Sequence, residues 1–498
     1  MVVRQVLYSL VFPWFGIKLS GVRTASESKN EESRFIQRHM LSASLIVTLA
    51  LLAPTAVFAQ TPTANLQTGC VTNYDASFDY FPEKIDSASL TNLAYTYSKN
   101  YKTIVNKFSN ETIVLYQCGT PKPTVEGATQ IIAVPIQNVT IGSTTVVTYL
   151  ELLGLRNVIK YTAQGTSGYI SSPCAQALVA SGAITEVDTK NLSTGIQQVQ
   201  STGVYLHYMD TLAANVTNAV SFPASADPGV KGRAEWLGFI GSLFNQEAKA
   251  NNIASAIAVN YAQLAAATHG NHSSLVVAWI EYQSAFGPKY PATWKLSAHQ
   301  YQLDLTKSAG ATLLLPNTTT ATTVTGATSR ATVYSYTTSE SLLSAIATAD
   351  IVIDLSFYNV NMSDFTSSFA ISASNTNTFK FLTNKQVYMV NKEIGDDNGG
   401  NNWFEEALVL QHLVLADLVS VVHPTLLDIS YKRKFLRNAF GEGQTVLSDL
   451  ECVDLNAGKT VPLVKLSATT NPKDSGVVVG FTSSILAVVC AIAFFASS

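Results

Sequence analysis

DPGVKGRAEWLGFIGSLFNQEAKANNIASAIAVNYAQLAAAT, residues 227–268, is the stretch on which the fold turns. Apolar side chains at Trp236, Phe239, Ile240, Leu243, Phe244, Ala248, Ile253, Ile257, Tyr261 and Leu264 keep helical spacing with no proline after Pro228. Such a stripe predicts one long helix, or two joined end to end, buried along one face. On either side the pattern differs. Upstream, residues 90–118 alternate aromatic and polar side chains as a hairpin would. Then Gln130-Ile-Ile-Ala-Val-Pro-Ile reads as a buried strand, followed by Ser143-Thr144-Thr145 and a helical pattern ending at Gly154. Val158-Ile159, Ile184–Val187 and Gly203–Tyr208 continue the alternation of strand and helix that implies a parallel sheet. Downstream, Ser274–Ile280, Ser308–Leu314, Asp350–Leu355 and Gln386–Val390 repeat it, closing with a helix over 404–422. Residues 316–332 read as a polar loop. The predicted class is α/β: two lobes, each a mostly parallel sheet with flanking helices, bridged by one long helix.

Composition narrows the function. The chain has 498 residues, 47% hydrophobic and 13% charged, enough apolar surface for a large core. A net charge of −3 with no basic block argues against nucleic-acid binding. No Gly-x-Ser-x-Gly elbow, Walker loop or GxGxxG occurs, so no common enzyme signature is present.

Both ends read as addresses. The apolar run Met40–Leu52, closed by Val57 and Ala59, fits a secretion signal cleaved before Gln60, with translation expected to start at Met40. At the other end Asp474-Ser475-Gly476, a spacer and an apolar tail to Ala496 fit replacement of the tail by a GPI lipid at Asp474 or Ser475. A single membrane span is the alternative, but no Lys or Arg follows it. The expected layout is therefore 1–59 extension and signal, 60–226 first lobe, 227–268 bridge, 269–455 second lobe, 456–475 linker and 476–498 tail. The protein would then be secreted and held on the cell surface as a monomer by a GPI lipid in the outer leaflet. Cys490 would leave with the tail, and Cys70, Cys118, Cys174 and Cys452 would form two disulfides, with three pairings open. Sequons at Asn110, Asn138, Asn191, Asn215, Asn271, Asn317 and Asn361 permit glycosylation.

Several motifs carry a resemblance. Gln130-Ile-Ile-Ala-Val-Pro with Leu150-Glu-Leu-Leu-Gly, Gly232-Arg-Ala-Glu-Trp-Leu-Gly-Phe-Ile-Gly, Gly399-Gly-Asn-Asn-Trp-Phe-Glu, Ala416-Asp-Leu and His423-Pro together resemble bacterial ABC-importer periplasmic binding proteins for iron-siderophores and vitamin B12. The resemblance spans about residues 80–440. It implies two lobes on a rigid helix, a ligand in the cleft between them, and no catalysis. It also implies that Glu151 and Glu405 stand where bacterial relatives present a glutamate on each lobe to the importer; solvated helix-end carboxylates are the alternative. A GPI-type tail departs from the bacterial pattern, since no matching importer is expected on a eukaryotic surface.

Ligands of open parallel sheets sit beyond the carboxyl ends of the strands. Those ends carry Ser143, Thr144, Thr145, Tyr205 and Tyr208 in the first lobe, and Trp279, Tyr282, Trp294, Tyr358 and Trp403 in the second. Aromatic rings with polar handles suit a large, flat or chelated ligand such as a ferric siderophore or a cobalamin, although such rings also serve as core. Ser143-Thr144-Thr145 suits an anion or a helix cap. His207, His299, Glu281 and Asp354 are the candidates for direct metal binding, but no HExxH or thiolate spacing supports them. His412 and His423 fit a surface helix and its end. A structural or adhesive surface protein that keeps the fold without a ligand is the competing function, and no cofactor is implied.

Overall fold

A computed structural model describes residues 61–87, 90–270, 272–316, 322–325, 332–396 and 399–468. The secretion signal, the lipid-attachment residues Asp474 and Ser475, the apolar tail with Cys490, and the sequons at Asn271 and Asn317 lie outside them. No helix among the described residues is long and apolar enough to cross a membrane.

The predicted hairpin is a meander: β1 (Leu93–Tyr97), β2 (Tyr101–Asn106) and β3 (Glu111–Gln117) pair antiparallel, and β4 (Gln130–Val134) joins β3 in parallel. Asn110, with φ +55°, turns β2 into β3, a backbone region that asparagine tolerates better than most residues. A second sheet, β7-β6-β5-β8-β9, is parallel throughout: β5 (Val139–Ile141), β6 (Ile159–Thr162), β7 (Thr185–Glu186), β8 (Val204–His207) and β9 (Ala219–Ser221). Its crossovers carry α1 (Val147–Leu152), α2 (Pro173–Ala180) and α3 (Leu192–Gln200). Ser172 and Asn191 cap the last two, and Pro173 occupies the first turn, where no amide is needed.

The bridge is two helices, α4 (Val230–Leu243) and α5 (Glu247–His269), rather than one. Asn245 breaks them at φ +56°, and its side-chain amide donates to Leu66 O at 2.7 Å and Gln117 Oε1 at 2.9 Å. At this elbow a Cβ on Gly241 would stand 2.8 Å from the Ala250 methyl, so the close approach requires glycine. Lys102 of β2 and Glu247 at the start of α5 form a fully buried ion pair, with Asn245 accepting a second bond from Lys102 at 2.9 Å. The elbow is thereby tied to the meander.

The second lobe has a parallel centre and an antiparallel wing. β10 (Val276–Gln283) turns back as β11 (Thr293–Ser297), and β12 (Thr312–Leu313) pairs β10 in parallel. β13 (Thr322–Thr325) and β14 (Thr332–Tyr336) extend the wing, so the span read as a polar loop contains a strand. β15 (Ile351–Asp354) and β16 (Val387–Met389) continue the parallel centre. β17 (Glu393–Gly395) leaves this sheet, β18 (Arg437–Asn438) closes its edge, and β19 (Thr445–Leu447) pairs parallel with β17. The helices are α6 (Gln300–Ser308), α7 (Ser339–Ala345), α8 (Met362–Ser368), α9 (Lys380–Thr383) and α10 (Gln411–Val422). The closing helix starts at Gln411, later than expected, because Glu405–Leu410 is buried irregular chain. α4 packs on α1 and α6, and α5 on α6 and α10, so one apolar core runs from the first lobe through the bridge into the second.

Candidate functional site

Both central strand sets point their carboxyl ends at one place. Chain leaving β5 brings Thr144, chain leaving β6 brings Tyr169, chain leaving β15 brings Phe357, and the turn after β17 brings Asn401 and Phe404. These five residues line a cavity of about 180 Å³. Phe357 is its centre, with ring centroids 6.4 Å from Tyr169 of the opposite lobe, 5.9 Å from Phe404 and 5.0 Å from Tyr358.

The Phe357 loop is held by a buried carboxylate. Asp354, the last residue of β15, accepts from the Ser356 amide at 2.9 Å, the Ser356 hydroxyl, and Asn359 Nδ2 at 2.7 Å. Burial pushes its pKa up to about 6 despite these donors. On the facing wall Gly400 carries its backbone against Tyr169, where a Cβ would fall 2.2 Å from the Tyr169 carbonyl oxygen. Only glycine allows that approach.

Beneath the cavity the lobes are latched. The Glu405 carboxylate accepts from the Ser171 amide at 2.9 Å and the Ser172 amide at 3.0 Å, at the start of α2. Burial and the neighbouring Glu151 and Glu406 push its pKa up to about 8, against the pull of the Ser171 amide and Lys459. Arg156 pairs with Glu151 at 2.6 Å, Lys459 reaches both Glu151 and Glu406, and Lys434 forms ion pairs with Glu406 at 2.9 Å and Glu393 at 3.2 Å. Burial works to raise the Glu406 pKa, but Lys459 and Lys434 outweigh it and bring it down to about 2. Glu151, Glu405 and Glu406 are almost wholly buried. They are therefore neither solvated helix ends nor surfaces open to a partner; they join first lobe, second lobe and C-terminal segment. That segment, running from β19 to Ser467, crosses to the first lobe and returns. The Cys174–Cys452 disulfide fastens it to α2, while Cys70–Cys118 closes the N-terminal segment onto β3's end.

Of the residues expected at the site, Thr144 lines the cavity and Tyr358, 75% exposed, stands at its edge. Ser143 accepts from the Thr145 amide at 3.3 Å, a cap. Tyr205 is buried, its hydroxyl on Asp210, and Tyr208 is exposed away from the lining. Trp279 is buried with Nε1 donating to Thr306 Oγ1 at 3.1 Å, and Trp403 is buried against it, centroids 6.1 Å apart. Tyr282 and Trp294 pack on each other, with Trp294 Nε1 bonded to Ser368 O at 2.7 Å. Tyr169, Phe357, Asn401 and Phe404 were not expected. Two of them directly neighbour the expected Tyr358 and Trp403, and loop residues carry no periodicity to say which neighbour points inward.

Among the described residues no group of three or more His, Cys, Asp or Glu could hold a metal ion, His207, His299, Glu281 and Asp354 included. His412 is buried inside α10 rather than on its surface, Nε2 lying 3.0 Å from Pro462 O, and burial pushes its pKa down to about 4. His423 is half-buried against Ala309 O.

No family model matches the sequence, and no curated protein does. The chain is similar to solved structures. A periplasmic binding protein from Veillonella parvula shares 13% identity at a TM-score of 0.39, over 58% of this chain and 85% of that one. An ABC-type Fe3+-hydroxamate transport system from Saccharomonospora viridis shares 14% at 0.40, over 58% and 94%. A periplasmic heme-binding protein from Pseudomonas aeruginosa shares 12% at 0.40, over 62% and 99%.

Proposed function

We propose that this chain is a non-catalytic solute-binding protein of the cell surface that takes its ligand between the lobes. One observation carries the reading: strand ends from both lobes converge on a single cavity lined by three aromatic rings, the two hydroxyls of Thr144 and Tyr169, and one carboxamide. An apolar pocket with a few placed polar groups is the ordinary make-up of a small-molecule site. The lining holds no acid–base pair, which suits binding rather than proton transfer. At about 180 Å³ the cavity is smaller than the roughly 300 Å³ at which whole-ligand pockets begin. A ferric siderophore or cobalamin-like ligand would seat one flat face on Phe357 and Phe404 and lie against the exposed Tyr358. Surface tethering by a GPI lipid rests on the terminal sequences, and two disulfides suit an oxidising compartment.

The structural or adhesive reading is favoured by the latch, since Glu405, the Lys459 network and the Cys174–Cys452 bond oppose opening of the lobes. Native mass spectrometry of the secreted ectodomain with a panel of ferric siderophores and cobalamins separates the two. A one-to-one adduct that Phe357→Ala weakens supports binding; no adduct with any member of the panel favours the structural role.

A further inference from the structure

Away from the cleft, Lys392, Ser420, Tyr431, Lys432, Arg433 and Glu442 line a second cavity of about 270 Å³ in the second lobe. Three cationic side chains face one carboxylate there, a surplus of two positive charges (3 − 1) in a chain whose net charge is −3. The single acid is not a competitor for ligand. Glu442 accepts from Arg433 at 2.6 Å, from the Asn438 amide at 2.8 Å, and pairs with Lys392 at 3.2 Å. It aligns two cations side by side. Lys392 also donates to Gly443 O at 2.8 Å, Arg433 Nε donates to Leu436 O at 2.9 Å, and the guanidinium lies over the Tyr388 ring at 5.6 Å. Both are held before any ligand arrives, which lowers the entropy cost of binding. Lys432 is different: it is exposed and, among the described residues, makes no hydrogen bond or ion pair. The Ser420 and Tyr431 hydroxyls donate to Asp417, so the cations are the donors left for a ligand. No aliphatic side chain lines the cavity.

We propose that this cavity is a binding site for a phosphate monoester, a dianion whose charge matches the surplus and whose oxygens suit a guanidinium beside two ammonium groups. The polar lining suits a phosphorylated solute; a phospholipid headgroup would present the same chemistry. The site shares no residue with the interlobe cavity, so it stands apart from the solute-binding reading.

Titration calorimetry of the secreted ectodomain at low salt tests it with glycerol 3-phosphate, and with unphosphorylated glycerol as control. Glycerol 3-phosphate is expected to bind and glycerol not to. Lys432→Ala should weaken binding by about tenfold or more while leaving the melting temperature unchanged, and Lys432→Arg should restore it. A parallel arm uses phosphatidic acid vesicles: binding to these alone, still dependent on Lys432, assigns the phosphate to a lipid. Binding to neither probe, or equal binding by Lys432→Ala and the unmodified protein, overturns the proposal.

Discussion

Phe357 and Trp279 lie on either side of the boundary between contact and support. Phe357 is 50% exposed at the centre of the cleft aromatics, and its removal leaves the core intact. Phe357→Ala should lower affinity for whichever panel ligand binds by about 1–3 kcal/mol, a loss of roughly five- to 150-fold, with an unchanged melting temperature. Titration beside a thermal melt checks both halves. Trp279 is fully buried, and its indole is bonded to Thr306. Trp279→Ala should lose about 3–5 kcal/mol of stability, read as a shift in denaturant midpoint. A Trp279→Ala protein as stable as the parent would return that ring to the candidate ligand contacts.

Beside the apolar packing, a buried ion pair and two disulfides tie elements together. Lys102→Met alone would leave Glu247 buried without its cation and should cost about 3–5 kcal/mol. Lys102→Met with Glu247→Leu should recover most of that, because an apolar pair of similar size needs no counter-ion; urea denaturation of the three proteins measures it. The Cys174–Cys452 bond spans 278 residues, and chain-entropy reasoning gives it up to about 5 kcal/mol. Cys174→Ser with Cys452→Ser should lower the melting temperature and expose the segment after β19 to protease. Resistance equal to the parent's would mean that the Lys459 and Arg156 contacts hold the segment without the disulfide.

For the whole molecule the latch makes stability depend on pH. Glu405 binds its proton more tightly folded than unfolded, with a folded pKa of about 8. Its contribution is therefore full below the ordinary carboxyl range and is lost as pH rises through 8. Glu406, brought down to about 2, has the opposite sign: its contribution is present above about pH 4.5 and lost as pH falls toward 2. Urea midpoints should fall from pH 5 to pH 8 in the parent. Glu405→Gln, neutral at every pH, should flatten that fall by more than about 1 kcal/mol, and parallel curves for the two proteins would remove Glu405 as the source.

Burial of one face imposes a period, so the two sheet series and the apolar stripe between them were legible from residue order alone. The same reading placed Ser143–Thr145 and Tyr358 just beyond strand ends, and hence the side of each sheet on which the cavity lies, but it took Gln130–Ile136, whose strand belongs to the meander, for the strand before Ser143 and so missed β5. It could not find the break at Asn245, because the apolar stripe continues across it and the partners of that side chain, Leu66 and Gln117, are distant in sequence. The wing of β13 and β14 was hidden in Thr- and Ser-rich chain with no clear alternation. Which of Phe357 and Tyr358 faces the cavity is a matter of loop path, set by Asp354 holding Ser356 and Asn359. The pairing of four cysteines and the burial of Glu151, Glu405 and Glu406 were likewise left to tertiary structure. Composition counts charges and thiols, but only the chain path brings Lys459 to two carboxylates and Cys452 to Cys174.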